Sequence, residues 1–287
     1  MRINLVAALL LLPALLSAQD VVSVKGRIVN PSGEAVEYVQ VGIPKYQIGT
    51  VSTADGRFAI EMPPDTLQFH HVSYETGYCA ITGPAEDLVI VLEPAQLPAA
   101  VLIGGNTKEK YLLRPGTKVM GNTGIISFSL SDGHPTGMEL GSVARARKPF
   151  LVTDILLSIH SNHIPGCIAS INIYRIEGKK ESFVNVLHQP IYFDVAVSND
   201  PQAFDLQPEE SILLEPGQYF IAFQIVGCDE EAMQAILAKP EEERQFWEMS
   251  LDAVIYFKSS YRREVALGEM SYLPVNIGIS VKGLEYQ

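Results

Sequence analysis

The residues able to do chemistry are few and scattered. The chain has six histidines and three cysteines in 287 residues. His160 and His163 form the segment HSNH, a spacing that would bring two metal ligands together on a helix turn. Their context is a strand running into a loop before Pro165-Gly166, so they are expected to be polar loop histidines, without the converging ligands and supporting shell of a metal site. No H-E-x-x-H helix, G-x-S-x-G elbow or G-x-x-x-x-G-K-[ST] loop occurs. Gly104-Gly105-Asn106 reads as a turn, and Asp55 as a turn residue, because the spaced carboxylates of a calcium loop are missing. Acidic pairs are frequent, but none is placed in a shared cleft by sequence. No catalytic, cofactor-binding or metal-binding residue is therefore assigned, and the chain is expected not to be an enzyme.

Three cysteines, Cys79, Cys167 and Cys228, leave one over within a monomer. Cys167 and Cys228 fall at strand ends in the same half of the chain and form a candidate disulfide, permitted in an oxidising compartment. Buried free thiols are the competing reading.

The elements that carry these residues are strands. Val22, Val24, Gly26 and Ile28 alternate with Ser23, Lys25 and Arg27. Asn30-Pro31-Ser32-Gly33 is a turn. Val39, Val41 and Ile43 alternate again, and Thr50 to Thr53 is short and β-rich. Ala54-Asp55-Gly56 is a hairpin turn, from which Phe58, Ile60 and Met62 point to one side and Arg57, Ala59 and Glu61 to the other. Leu67 and Phe69, then Leu88, Ile90 and Leu92, complete a set of short strands of the kind that builds a β-sandwich.

These pieces carry a resemblance. Gly26-Arg27-Ile28, Gly33-Glu34-Ala35-Val36, Val39-Gln40-Val41, Gly49-Thr50-Val51-Ser52-Thr53, Ala54-Asp55-Gly56-Arg57-Phe58 and Phe69-His70-His71-Val72-Ser73-Tyr74-Glu75-Thr76 follow one another in an order that resembles the carboxypeptidase regulatory-like domain. The resemblance covers roughly 22–95 and departs at Ser73, where the family usually has glycine. It implies a transthyretin-like β-sandwich that is not itself catalytic. Such domains are common at the front of exported and outer-membrane proteins of Gram-negative bacteria, including TonB-dependent receptors. His70 and His71 lie in the family's strand motif and read as structural.

Met1 to Ala18 reads as a signal peptide: Arg2, an apolar run from Leu5 to Leu16, and Leu16-Ser17-Ala18 as the cleavage site. The run is about a dozen residues, against the ~20 of a spanning helix. No cysteine stands at the end of the run to carry a lipid, and no later apolar run is long enough to span a membrane as a helix. The expected location is therefore the periplasm, outer membrane or cell surface. The net charge of −12 argues against nucleic acid as a partner. Arg145, Arg147 and Lys148, and Arg262 with Arg263, are expected to be solvated strand edges.

Residues 96–119, punctuated by Pro98, Gly104, Gly105 and Pro115, are expected to connect two domains. From 120 to 287 the pattern is again β, over Ile125–Leu130, Phe150–Ile159, Cys167–Ile176, Asn185–Phe193, Ser211–Leu214, Gln218–Val226, Leu251–Phe257 and Val275–Val281. This fits a jelly-roll-like sandwich. The stretch Pro149 to Ile176, then a strand, then Ile212 to Gly227 resembles the sandwich that often follows the regulatory-like domain. Residues 229–249 break the pattern as a helical insertion, with acidic residues at its start, Met233, Ile236 and Leu237 on one face, and Phe246 and Trp247 packed inward.

The whole reads as an all-β, exported, non-catalytic accessory or binding protein of the cell envelope, meeting an envelope protein or glycan. A glycan- or peptide-acting enzyme built on the C-terminal sandwich, and a structural or adhesive surface component, are the alternatives.

Overall fold

In a computed structural model, the structure describes residues 21–96, 104–115, 117–118, 124–130 and 132–287. The expected signal peptide and part of the expected connection lie outside them. Strands make up 56% of the described residues and helix 7%, which establishes the all-β class.

The front part contains β1 (Val22–Val29), β2 (Gln40–Ile43), β3 (Ile48–Val51), β4 (Arg57–Met62), β5 (Thr66–His70), β6 (Gly77–Ala80) and β7 (Ala85–Val91). They form two sheets, ordered β4-β1-β7 and β3-β2-β5-β6. The β1–β4 pair is antiparallel and β1–β7 parallel. Alternation drives the packing. Phe58, Ile60 and Met62 are buried while Arg57, Ala59 and Glu61 face water, because successive side chains leave a strand on opposite sides. Val24, Ile28, Val41, Leu67 and Phe69 close the core between the two sheets. Gly56, at φ +78°, supplies the turn conformation that side chains resist.

The second part contains β8 (Thr107–Leu113), β9 (Thr117–Lys118), β10 (Ile125–Ser129), β11 (Glu139–Ala146), β12 (Phe150–Asn162), β13 (Cys167–Glu177), β14 (Ser182–Asn185), β15 (Ile191–Val195), β16 (Gln202–Leu206), β17 (Ile212–Leu214), β18 (Gly217–Gly227), α1 (Glu230–Leu237), β19 (Ser250–Phe257), β20 (Ser260–Arg263), β21 (Ser271–Leu273), β22 (Asn276–Ile277) and β23 (Ile279–Tyr286). One sheet follows the path β10-β19-β12-β23-β8, and the other β14-β13-β18-β11-β20-β21. Phe128, Phe150, Ile159, Ile171, Ile221, Phe223 and Ile279 fill the space between them.

Several expectations are corrected here. Residues 96–119 are not only a connection, because Thr107–Leu113 is a strand that pairs with β23. The β pattern was also finer than its apolar runs suggested. Asn185–Phe193 divides into the ends of β14 and β15, and β11, with its mixed composition, lies outside the expected runs. The helical insertion is present, with Asp229 capping α1 by accepting from the Ala232 amide at 3.0 Å. Met233 is buried, but Trp247 does not pack inward. It is 46% exposed and stands edge-on to His163, 5.1 Å between ring centres, because a single short 3-10 turn, Phe246–Met249, rather than a full helix carries it.

Candidate functional site

The two parts are seated on one another. Tyr38 and Val51 from the front pack with Val226 and Ala266 from the second part. Tyr38 meets Tyr192 edge-on at 5.0 Å. The Val51 amide donates to the Pro135 carbonyl at 3.1 Å, the Glu269 amide to Gln47 Oε1 at 2.9 Å, and Ser73 Oγ to the His188 carbonyl at 2.9 Å. Gly49 makes the approach possible: a Cβ there would lie 2.1 Å from the Ala266 carbonyl oxygen.

Beneath this seam runs a buried polar network. Glu139 on β11 is fully buried and Arg263 on β20 nearly so. They are ladder partners with the guanidinium Nη1 3.5 Å from the carboxylate Oε2. Glu139 Oε1 accepts from Tyr174 Oη at 2.6 Å and from Asn172 Nδ2 at 2.8 Å. Asn172 Nδ2 also reaches Gln224 Oε1 at 3.0 Å. Gln40 of the front part enters the same network, accepting from Arg263 Nη1 and donating to Gln224 Oε1, each at 3.4 Å. Arg263 is thus not the solvated edge cation its sequence context suggests, whereas Arg262 is exposed and pairs with Glu264 at 2.9 Å.

Burial works against the charge on Arg263, but the Glu139 carboxylate and the Tyr174 hydroxyl outweigh it and hold the guanidinium protonated. Burial first, and then the Glu139 charge, push the Tyr174 hydroxyl well above its usual range. His71 is buried, with Nε2 3.2 Å from Tyr192 Oη and Nδ1 accepting from the Ser73 amide. Burial lowers its pKa to about 4, with a smaller contribution from His70. His71, read as structural in the sequence, is thus part of the seam, while His70 Nδ1 lies 3.2 Å from Thr76 Oγ1 within the front part.

Beside the seam opens a groove of about 510 Å³, within the size range of ligand sites. Its front wall is Lys25, Arg27, Arg57, Ala59, Leu88 and Val89, with Thr50 and Val51 at one side, and His134 and Glu230 come from the second part. A neighbouring hollow of about 310 Å³ shares Arg57, His134 and Glu230 and reaches Cys228. Asp55 lines this neighbouring hollow. It takes Thr53 Oγ1 at 2.5 Å and Arg57 Nε at 3.1 Å. The Thr53 hydroxyl bond, ahead of the Arg57 charge and against a modest burial cost, keeps its carboxyl below the usual range.

Cys167 and Cys228, the candidate disulfide, are brought side by side: Ile168 pairs with Gly227, so the cysteines take the next cross-strand position. Both are free thiols, as is Cys79. Burial is the main cause that raises each of the pair to about 12. Cys228 Sγ donates to the Gly133 carbonyl at 3.5 Å. His160 lies exposed on β12 and His163 meets Trp247 edge-on, so HSNH converges on nothing. Among the described residues no group of three or more His, Cys, Asp or Glu is placed to hold a metal ion.

The groove cations were visible in the sequence only as outward strand positions. β1 and β4 are not joined by one hairpin, so no local turn announced that Arg27 faces Arg57. Glu139 gave no signal at all, sitting on a strand whose sequence ELGSVARA lacks an apolar run.

No protein-family model matches the chain, and no curated protein matches it, so the regulatory-like resemblance rests on the front residues alone. The chain is similar to a solved DUF3823 family protein from Bacteroides ovatus at 10% identity and TM-score 0.20, over 73% of this chain and 99% of that one. A DUF3823 family protein from Parabacteroides merdae matches at 10% identity and TM-score 0.21, over 90% and 98%. A structure of infectious bursal disease virus, Gt strain, matches at 10% identity and TM-score 0.27, over 93% and 65%. At such TM-scores these likenesses carry no argument about site or function, and the β architecture is read from the strands themselves.

Proposed function

We propose that this chain is an exported, non-catalytic binding protein of the bacterial cell envelope, and that the groove beside the seam is its ligand seat. The observation that supports this reading is the groove itself: about 510 Å³, walled by cationic and apolar side chains of the front sandwich and closed by His134 and Glu230 from the second part. Concave sites where two parts of a chain meet are a common place for ligands. The front resemblance, whose family is non-catalytic and common in envelope proteins, points the same way. The 22–95 and C-terminal β-sandwiches act as a pair, because Gln40, Tyr38 and His71 tie one to the other.

The test fills the groove without touching the core. Ala59 lies on the outward face of β4 and lines the groove, so Ala59→Trp should block it while the fold is retained. Envelope extract is passed over immobilised wild-type and Ala59→Trp protein, and retained protein and glycan are identified by mass spectrometry. Specific retention by the wild type that is lost in the variant supports the reading. Equal retention by both, or turnover of a peptide or glycan substrate, overturns it.

A further inference from the structure

The seat has a charge arrangement that narrows its ligand. Arg27 and Arg57 are directly opposed across the β1–β4 ladder. Like charges in that position repel, and the strands pair there nonetheless. Lys25 lies two residues along the same face of β1, opposite the small Ala59. One residue serves both arginines: Arg27 Nε donates to the Asp55 carbonyl at 3.0 Å, and Arg57 Nε meets Asp55 Oδ2 at 3.1 Å. Among the described residues neither guanidinium makes a further hydrogen bond through its Nη groups, and both side chains are exposed to the groove. Lys25 has only a loose contact with Glu86, 3.9 Å between two exposed groups. Asp55 supplies one negative charge to two guanidiniums. The forks that recognise oxyanions in pairs of parallel hydrogen bonds are therefore left open.

The rest of the groove limits what the anion is attached to. Val89, 62% exposed, and Ala59 offer an outward apolar bed, while Leu88, packed on the front core, and Val51, buried in the seam, form its inner edge. Asp87 and Glu230 also line it, and neither is in an ion pair among the described residues. They repel an anion in proportion to its charge, and so disfavour a polyanion far more than a ligand with one anionic group.

We propose that the groove binds a ligand carrying a single oxyanion, a carboxylate or a phosphate, on an apolar body. The oxyanion lies between the guanidiniums of Arg27 and Arg57 with Lys25 beside them, and the body lies along Val89, the β7 partner of Arg27. This rests on the groove being the seat. It does not require any particular envelope partner.

The test uses the full mature chain and four probes: hexanoate, hexyl phosphate, hexanamide and inorganic phosphate. Binding is followed by amide chemical shifts of residues in β1, β4 and β7. Hexanoate and hexyl phosphate are expected to shift these amides, whichever is the stronger naming the source of the oxyanion. Hexanamide and inorganic phosphate should bind at least roughly tenfold more weakly, each lacking one half of the recognition. Arg27→Gln with Arg57→Gln should remove the preference for hexanoate over hexanamide while leaving thermal stability unchanged or raised, since the opposed charges are gone. Should that pair fold poorly, raised salt applied to the wild type gives the same reading, because exposed ion pairs weaken with ionic strength. Ala59→Trp should abolish binding of every probe. If hexanamide binds as well as hexanoate and Ala59→Trp stops both, the oxyanion is overturned and the seat stands. If neither hexanoate nor hexyl phosphate shifts these strands, the proposal is overturned, and the envelope-retention experiment decides the seat separately.

Discussion

Glu139 and Arg263 are neighbours on paired strands, carboxylate and guanidinium 3.5 Å apart, with side-chain exposures of 0% and 10%. A pair so placed gives up its hydration, so its worth lies in what happens when one partner goes. Glu139→Gln leaves a buried cation without its counter-charge and should cost about 3–5 kcal/mol. Replacing both at once, Glu139→Leu with Arg263→Met, should cost far less. Urea midpoints of the two variants measure the difference, and equal losses would show that the ion pair is not what holds the seam.

Acid should loosen the seam through His71. Its folded pKa is about 4, below the ordinary 6.5, so between those values the unfolded chain binds the proton and the folded chain does not. Stability is therefore full above about pH 6.5 and falls as the pH drops towards 4, by up to ~3 kcal/mol at about 1.4 kcal/mol per pH unit. His71→Gln should flatten that slope. Chemical denaturation at a series of pH values reads it, and an unchanged slope in the variant would assign the acid sensitivity to other groups.

Gly49 and Gly83 form a matched pair of tests. A methyl group at Gly49 runs into the Ala266 carbonyl, while at Gly83 nothing lies within 4 Å. Gly49→Ala should cost on the order of 1–3 kcal/mol by overpacking and expose the amides of the seam to hydrogen exchange. Gly83→Ala should do neither.

In the front sandwich, Phe58 is buried against Phe69, ring centres 5.5 Å apart, and its neighbour Arg57 is exposed. Phe58→Ala should cost on the order of 3–5 kcal/mol and Arg57→Ala much less. Thermal melts of the two variants check the register of β4.

Cys167 and Cys228 are held as thiols by their surroundings. The thiolate is the reactive form, so alkylation of either at neutral pH should be slow in the folded protein and fast in denaturant. Mass spectrometry of unreduced, denatured and alkylated protein should count three thiols. A mass two hydrogens lighter, traced to a 167–228 crosslink, would show the bridge instead.

Much of the architecture was legible in the chain, because alternation in a strand is a local property. Phe58, Ile60 and Met62 had to share a side whatever else happened, and the Asp55-Gly56 turn fixed where that strand began. The helical insertion was equally local, announced by the acidic residues at its start and by Met233, Ile236 and Leu237 on one face. Strands without an apolar run stayed hidden: β8, with TKEKYLL, owes its place to pairing with β23. The sites depended on which strands became neighbours. Arg27 and Arg57 are thirty residues apart in sequence and face each other only because β1 skips β2 and β3 to pair with β4. Arg263 looked like an edge cation beside Arg262 until pairing with β11 set it against Glu139. The sequence determined which side of each strand is apolar. Long-range pairing, whose partners no local pattern encodes, decided which charges were buried together and which were left open to a ligand.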